Sequence, residues 1–225
     1  MPSPPALVVR GFDDFVAAAA ECSRSGPAGE AALVRALDLL PMKRRALAVA
    51  FLGDARGPAG PPTLRRLLAA GEGPHDVRCA AIIALAKREK ERGAAAFARA
   101  FGSRDAGVKA CALLALAAYG DDRARPEVAG YLTRRLRRGT VGPVPDPTVL
   151  AVTYLLRYSD RNRLAVLAAE LRVADLDTEV AAWLGKFWPA CLDESVEPRR
   201  LPMPDAAVMR EWVRGEPVFG PVEVN

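Results

Sequence analysis

Asp105-Ala106-Gly107-Val108-Lys109-Ala110-Cys111-Ala112-Leu113-Leu114-Ala115-Leu116 reads as an apolar helix with an acid at its head. The carboxylate suits an N-cap, and the Ala and Leu that follow favour helix over strand. The outline recurs at Asp76-Val77-Arg78-Cys79-Ala80-Ala81, at Asp146-Pro147-Thr148-Val149-Leu150-Ala151 and at Asp177-Thr178-Glu179-Val180-Ala181-Ala182. The Val anchors stand at 77, 108, 149 and 180, with spacings of 31, 41 and 31 residues. A period in this range points to stacked supersecondary units.

Working outward, a shorter amphipathic helix is expected before each anchor helix, at Thr63–Ala70, Ala94–Phe101, Pro126–Arg138 and Arg163–Val173. Gly29–Leu40 followed by Met42–Gly53 makes a looser pair, and Phe12–Ser23 a helix that caps the array. The long spacing holds Gly139-Thr140-Val141-Gly142-Pro143-Val144-Pro145, which reads as a loop. Asp105, Asp146 and Asp177 are expected N-caps, and Gly53, Gly102 and Gly120 expected left-handed helix terminators. Period-two alternation is nearly absent, so no sheet is expected. Residues 195–225 are rich in Pro, with one helix expected near Pro204–Arg214 and an extended stretch from Val218 to Val224.

The run Asp-x-x-Val-[Arg/Lys] followed by spaced Ala and Leu resembles the second helix of HEAT repeats, in the short bacterial form known from phycobilisome lyases. Asp105, Val108, Lys109, Leu113 and Leu116 carry it, as do Asp76, Val77, Arg78, Ala81, Ala84 and Leu85. Leu150 and Ala181 stand where that family has its basic residue. The resemblance covers about residues 28–190. It implies an all-α fold, a right-handed α-solenoid of about five helix pairs, with second helices lining the concave side. The expected organisation is a capping segment over 1–27, the solenoid over 28–194 and a Pro-rich tail over 195–225.

The 225 residues are 51% hydrophobic, 26% charged and only 6% aromatic, a balance that excludes a disordered chain. The net charge of +5 is uneven, with basic residues in excess up to residue 140 and acidic ones after it. Arg outnumbers Lys by 27 to 5, which together with the Ala and Gly content suggests a GC-rich bacterial source. The four cysteines, Cys22, Cys79, Cys111 and Cys191, form no CxxC pair and are expected as reduced, structural thiols in a cytoplasmic protein. No secretory leader or membrane-length apolar run is apparent.

No catalytic, metal or cofactor motif emerges. His75 is the only histidine, and it lies in Gly73-Pro74-His75-Asp76. It is expected as an exposed turn residue beside a cap, although with Asp76 it could form a proton relay. The glycine-rich stretch from Gly53 to Gly60 lacks the lysine of a P-loop and reads as a plain loop. Lys87-Arg88-Glu89-Lys90-Glu91-Arg92 mixes both signs and reads as a solvated face. In Arg134-Arg135-Leu136-Arg137-Arg138, the apolar Val128, Leu132 and Leu136 are four apart. They should face the core and leave Arg134, Arg135 and Arg138 outward as a basic patch. Tyr154, Arg157 and Tyr158, with Trp183 and Lys186 from the next helix, are expected to line a concave groove.

These readings point to a non-catalytic scaffold or adaptor that binds another protein in its groove, without cofactor or membrane. The alternative is a nucleic-acid-binding protein using the basic surface. The HEAT-like alkylpurine DNA glycosylases place tryptophans in their central repeats, whereas this chain has none before Trp183.

Overall fold

A computed structural model describes residues 7, 9, 11–69, 73–138, 147–172, 178, 181–182 and 206–215. Among these residues the chain is all-helical. In order the helices are α1 (Phe12–Arg24), α2 (Gly26–Ala36), α3 (Met42–Leu52), α4 (Gly60–Ala69), α5 (His75–Glu89), α6 (Ala94–Phe101), α7 (Ala106–Tyr119), α8 (Arg125–Arg137), α9 (Pro147–Tyr158), α10 (Arg161–Arg172) and α11 (Ala206–Gly215). Short 3-10 turns, Lys90–Gly93 and Asp122–Ala124, lead into α6 and α8. The expected helices agree with these to within a few residues. The anchor helix expected at Val180, the Gly139–Pro145 loop, the extended Val218–Val224 stretch and the caps Asp146 and Asp177 fall outside the described residues.

The helices pack in two kinds of contact. Along the chain, α4 lies against α5, α6 against α7 and α8 against α9. Across the chain, α3 packs on α5, α5 on α7 and α7 on α9. In this second row α5, α7 and α9 are buried nearly all round over most of their length. Every residue from Cys79 to Ala86 in α5, Ala112 to Tyr119 in α7 and Thr148 to Leu156 in α9 is buried. A helix apolar on every side needs neighbours on every side, and its alanines let those neighbours approach closely. By contrast α8 buries a single stripe, Val128, Leu132 and Leu136, as its four-residue spacing predicts. Each fully buried Leu contributes roughly 1.5–3 kcal/mol.

Asp105 caps α7 as expected, its Oδ1 accepting the Val108 amide at 3.0 Å. Three glycines act differently from expectation. Gly53, Gly102 and Gly120 all have negative φ, so none is a left-handed terminator. At two of them space is what matters. A Cβ on Gly53 would lie 2.9 Å from the Ala84 Cα on α5, and one on Gly120 would lie 2.5 Å from the Leu116 carbonyl oxygen. Left-handed backbone occurs at Gly26, where α1 turns into α2, and at Lys90, whose φ of 51° is unusual for a residue with a side chain.

The glycine-rich loop after α3 is a clamped element. The Ala59 amide donates to Glu30 Oε2 at 2.7 Å, and Arg88 donates to the carbonyls of Leu52 and Gly57. Any side chain at Gly57 or Gly60 would strike the Glu30 carboxylate. Those glycines therefore serve the approach of α2 to the loop.

Candidate functional site

The row formed by α5, α7 and α9 carries Tyr154, Arg157 and Tyr158 of the expected groove, and α11 lies across it. This helix packs mainly on α7 and touches α5 and α9. Met209 and Val213, four residues apart on one face, are fully buried, whereas Glu211 and Arg214 on the other are exposed. Arg210 sits at the edge of the contact. Its Nε donates to the Ala118 carbonyl at 3.2 Å, its guanidinium stacks 5.6 Å from the Tyr119 ring, and Nη2 lies 3.8 Å from Glu91. A cation at the C-terminal end of α7 is also favoured by the helix dipole.

The residues expected to line a groove divide. Tyr154 has no solvent exposure, and its hydroxyl donates to the Asp121 carbonyl at 2.5 Å. Burial pushes that hydroxyl far above the usual phenol range. Tyr154 is thus a core residue and presents nothing to a partner. Arg157 and Tyr158 are half-buried. Arg157 donates to the carbonyls of Ala117 and Ala118, and its guanidinium lies 4.8 Å from the Tyr158 ring. Arg157 and Arg210 therefore converge on one carbonyl, Ala118, from two different helices. The Tyr158 hydroxyl oxygen is buried without a hydrogen-bond partner. Trp183 and Lys186 lie outside the described residues.

The basic end of α8 also divides. Arg134 and Arg138 are exposed, with Arg137 beside them. Arg135 is half-buried; it donates to the Thr148 hydroxyl at 2.9 Å and lies over the Tyr131 ring. Arg134 helps line a cleft of about 260 Å³ with Lys109, Tyr131 and Glu127. The mixed-charge run over 87–92, read as a solvated face, closes α5 and enters the 3-10 turn after it, and instead carries a set of ties. Lys87 meets Asp54, Arg88 meets Glu30, Glu89 meets Arg65 and Glu91 meets Arg210.

A group that the sequence did not single out lies at the adjoining starts of α5 and α7. His75 is the first residue of α5, with Pro74 in the cap position. Its partner is Asp105, from the next anchor segment, and not Asp76. The Nδ1 atom lies 2.9 Å from both Asp105 oxygens. A carboxylate can only accept there, so Nδ1 carries a proton and Nε2 of the neutral ring is an acceptor. That Nε2 is 3.7 Å from the Cys79 Sγ, one helical turn along α5. The Cys111 thiol on α7 is a further hydrogen-bond partner of Cys79. The bond to Asp105 raises the His75 pKa, while the Val108 amide and then His75 lower that of Asp105. The Cys111 bond, then the charge of His75, hold the Cys79 thiol below its ordinary value against the effect of burial.

The described residues hold no group of three His, Cys, Asp or Glu side chains suited to a metal, and no helix long and apolar enough to cross a membrane. No protein-family model, no curated protein and no solved structure matches the chain.

Proposed function

We propose that this chain is a non-catalytic protein–protein interaction module of the cytoplasm. In this reading it is a HEAT-like α-solenoid whose concave side runs along α5, α7 and α9 and receives an amphipathic helix. The seating of α11 is the observation that carries it. That face already holds a helix through two buried apolar residues four apart and one arginine at the carbonyl end of α7. A partner helix of the same pattern would take the same seat once α11 leaves it. The serial packing of α3, α5, α7 and α9 supports the solenoid reading, as does the Asp-x-x-Val-Lys pattern at the head of α7.

The test uses the full chain with Met209→Asp and Val213→Asp, which empties the seat. A fluorescent peptide spanning residues 204–216 should bind this variant and be excluded by the unaltered chain. Capture from a nuclease-treated extract should then enrich a protein partner on the variant. A variant that keeps its helical signal but takes up neither peptide nor partner rejects the proposal. Nucleic-acid binding through α8 has the exposure of Arg134 and Arg138 in its favour. It is selected instead if capture is abolished by nuclease or by Arg134→Glu/Arg138→Glu.

A further inference from the structure

Cys79 on α5 and Cys111 on the adjoining α7 are hydrogen-bond partners, and the His75 imidazole, held by Asp105, lies 3.7 Å from the Cys79 sulfur. We propose that this group is a stoichiometric thiol-oxidation site, in which Cys79 is attacked by a hydroperoxide and Cys111 resolves it to a disulfide. The proposal is independent of the helix-binding reading above.

The geometry gives each residue a distinct task. Asp105 is itself fixed as the cap of α7, since the same Oδ1 that meets His75 accepts the Val108 amide. It orients the His75 ring so that Nε2 points at Cys79, 3.7 Å away. The ring needs the space left by Gly107 on α7, where a Cβ would stand 2.2 Å from the His75 Cε1. The His75 side chain is half exposed and Cys79 retains 7% exposure. Cys79 is buried, so the reaction requires a hydroperoxide small enough to enter beside the half-exposed ring. Cys22 offers a contrast within the same chain, fully buried with its thiol pushed up by burial.

In the first step His75 Nε2 takes the Cys79 thiol proton, and the thiolate attacks the terminal peroxide oxygen. An S–O bond forms, the O–O bond breaks, and the leaving alkoxide takes the proton back from His75. Cys79 is now a sulfenic acid and the hydroperoxide has been reduced to an alcohol, or to water where hydrogen peroxide is the oxidant. In the second step the Cys111 sulfur attacks the Cys79 sulfur. Hydroxide leaves with the Cys111 proton as water. Two thiols and one hydroperoxide thus give one disulfide, one alcohol and one water.

The experiment treats the full-length protein with equimolar hydrogen peroxide and maps its peptides without reduction. A crosslink between the peptides holding Cys79 and Cys111, lighter than their sum by two hydrogens, is expected, with Cys22 unmodified. Cys111→Ser should stop the reaction at a sulfenic acid on Cys79 that dimedone traps. His75→Gln and Asp105→Asn should slow Cys79 oxidation about tenfold or more at neutral pH. Gly107→Ala should slow it similarly while favouring the helix, since the methyl displaces the ring and not the backbone. Oxidation of Cys79 no faster than of Cys22 overturns the proposal, and so does a rate indifferent to His75→Gln and Gly107→Ala. A sulfenic acid that persists with Cys111 intact overturns its resolving role.

Discussion

Glu30 has no solvent exposure, and its Oε1 lies 2.6 Å from the Arg88 Nη1 across a separation of 58 residues. With the other oxygen on the Ala59 amide and two further guanidinium donors on the Leu52 and Gly57 carbonyls, the pair ties α2, α5 and the loop between α3 and α4 together. Removing one member leaves the other desolvated and unmatched. Arg88→Met should therefore cost about 3–5 kcal/mol of stability. Urea denaturation with an unchanged slope checks it. Recovery of part of the loss in Arg88→Met/Glu30→Leu separates unmatched charge from lost packing, and a single-variant loss below about 1 kcal/mol would show the pair to be dispensable.

Lys90 ends α5 with φ 51° and ψ −128°, a conformation glycine adopts without strain. Its side chain is exposed. Lys90→Gly should stabilise the protein by about 1 kcal/mol, relief of strain outweighing the entropy of the unfolded glycine. A lowered thermal midpoint would show that the turn does not hold that strain.

The seat of α11 predicts a local effect as well as a global one. Met209→Ala removes most of a fully buried side chain, at a cost of about 2–3 kcal/mol to the docked helix. Because docking of α11 contributes little to the packing of α1, α2 and α3, the helix should open before the body unfolds. Trypsin cleavage after Arg210 or Arg214 should then rise on the order of 30-fold. Equal cleavage of variant and parent would mean that α11 opens only with the whole molecule.

The charge on His75 sets a pH dependence. Its pKa is raised chiefly by Asp105, with Asp76 and Cys79 contributing. The stability it adds is complete below the ordinary histidine value of about 6.5 and is lost as pH rises through the higher folded value. Asp105 is lowered, so its contribution is present above about pH 3.9 and is lost as pH falls through its lower folded value. The thermal-midpoint gap between parent and His75→Gln should be widest between those limits and shrink toward alkaline pH. It should be small, on the order of 0.5 kcal/mol, since the pair is partly exposed. A gap that widens above neutrality contradicts the pairing.

Helix positions were legible because local signals set them. Ala94–Phe101 agrees at both ends, and the Val128, Leu132 and Leu136 stripe buries as its period demands. The apolar run within α7 was legible as helix but not as a helix enclosed on all sides. Its lack of a polar face is the trace of α11, which arrives from far along the chain. Tyr154 shows the same limit: an aromatic among aliphatics looks the same whether it faces a groove or a carbonyl in the core. The His75–Cys79 spacing of one turn was readable, and the recurrence of anchors 31 residues apart puts the starts of α5 and α7 side by side. Combining the two would have placed Asp105 against His75. Neither could have chosen Arg88 as the partner of Glu30, which depends on how a loop folds between them.

The docking of α11 on α7 also has a meaning in time. The contact between Arg210 and Ala118 joins residues 92 positions apart. At a synthesis rate of about 5–20 residues per second, α7 exists for roughly 5–20 seconds before the helix that covers it is made. During that interval a nascent chain presents the apolar floor of the seat to whatever surrounds the ribosome. A co-translational partner or a chaperone would meet this protein with its face open, whereas one arriving after release must first displace α11.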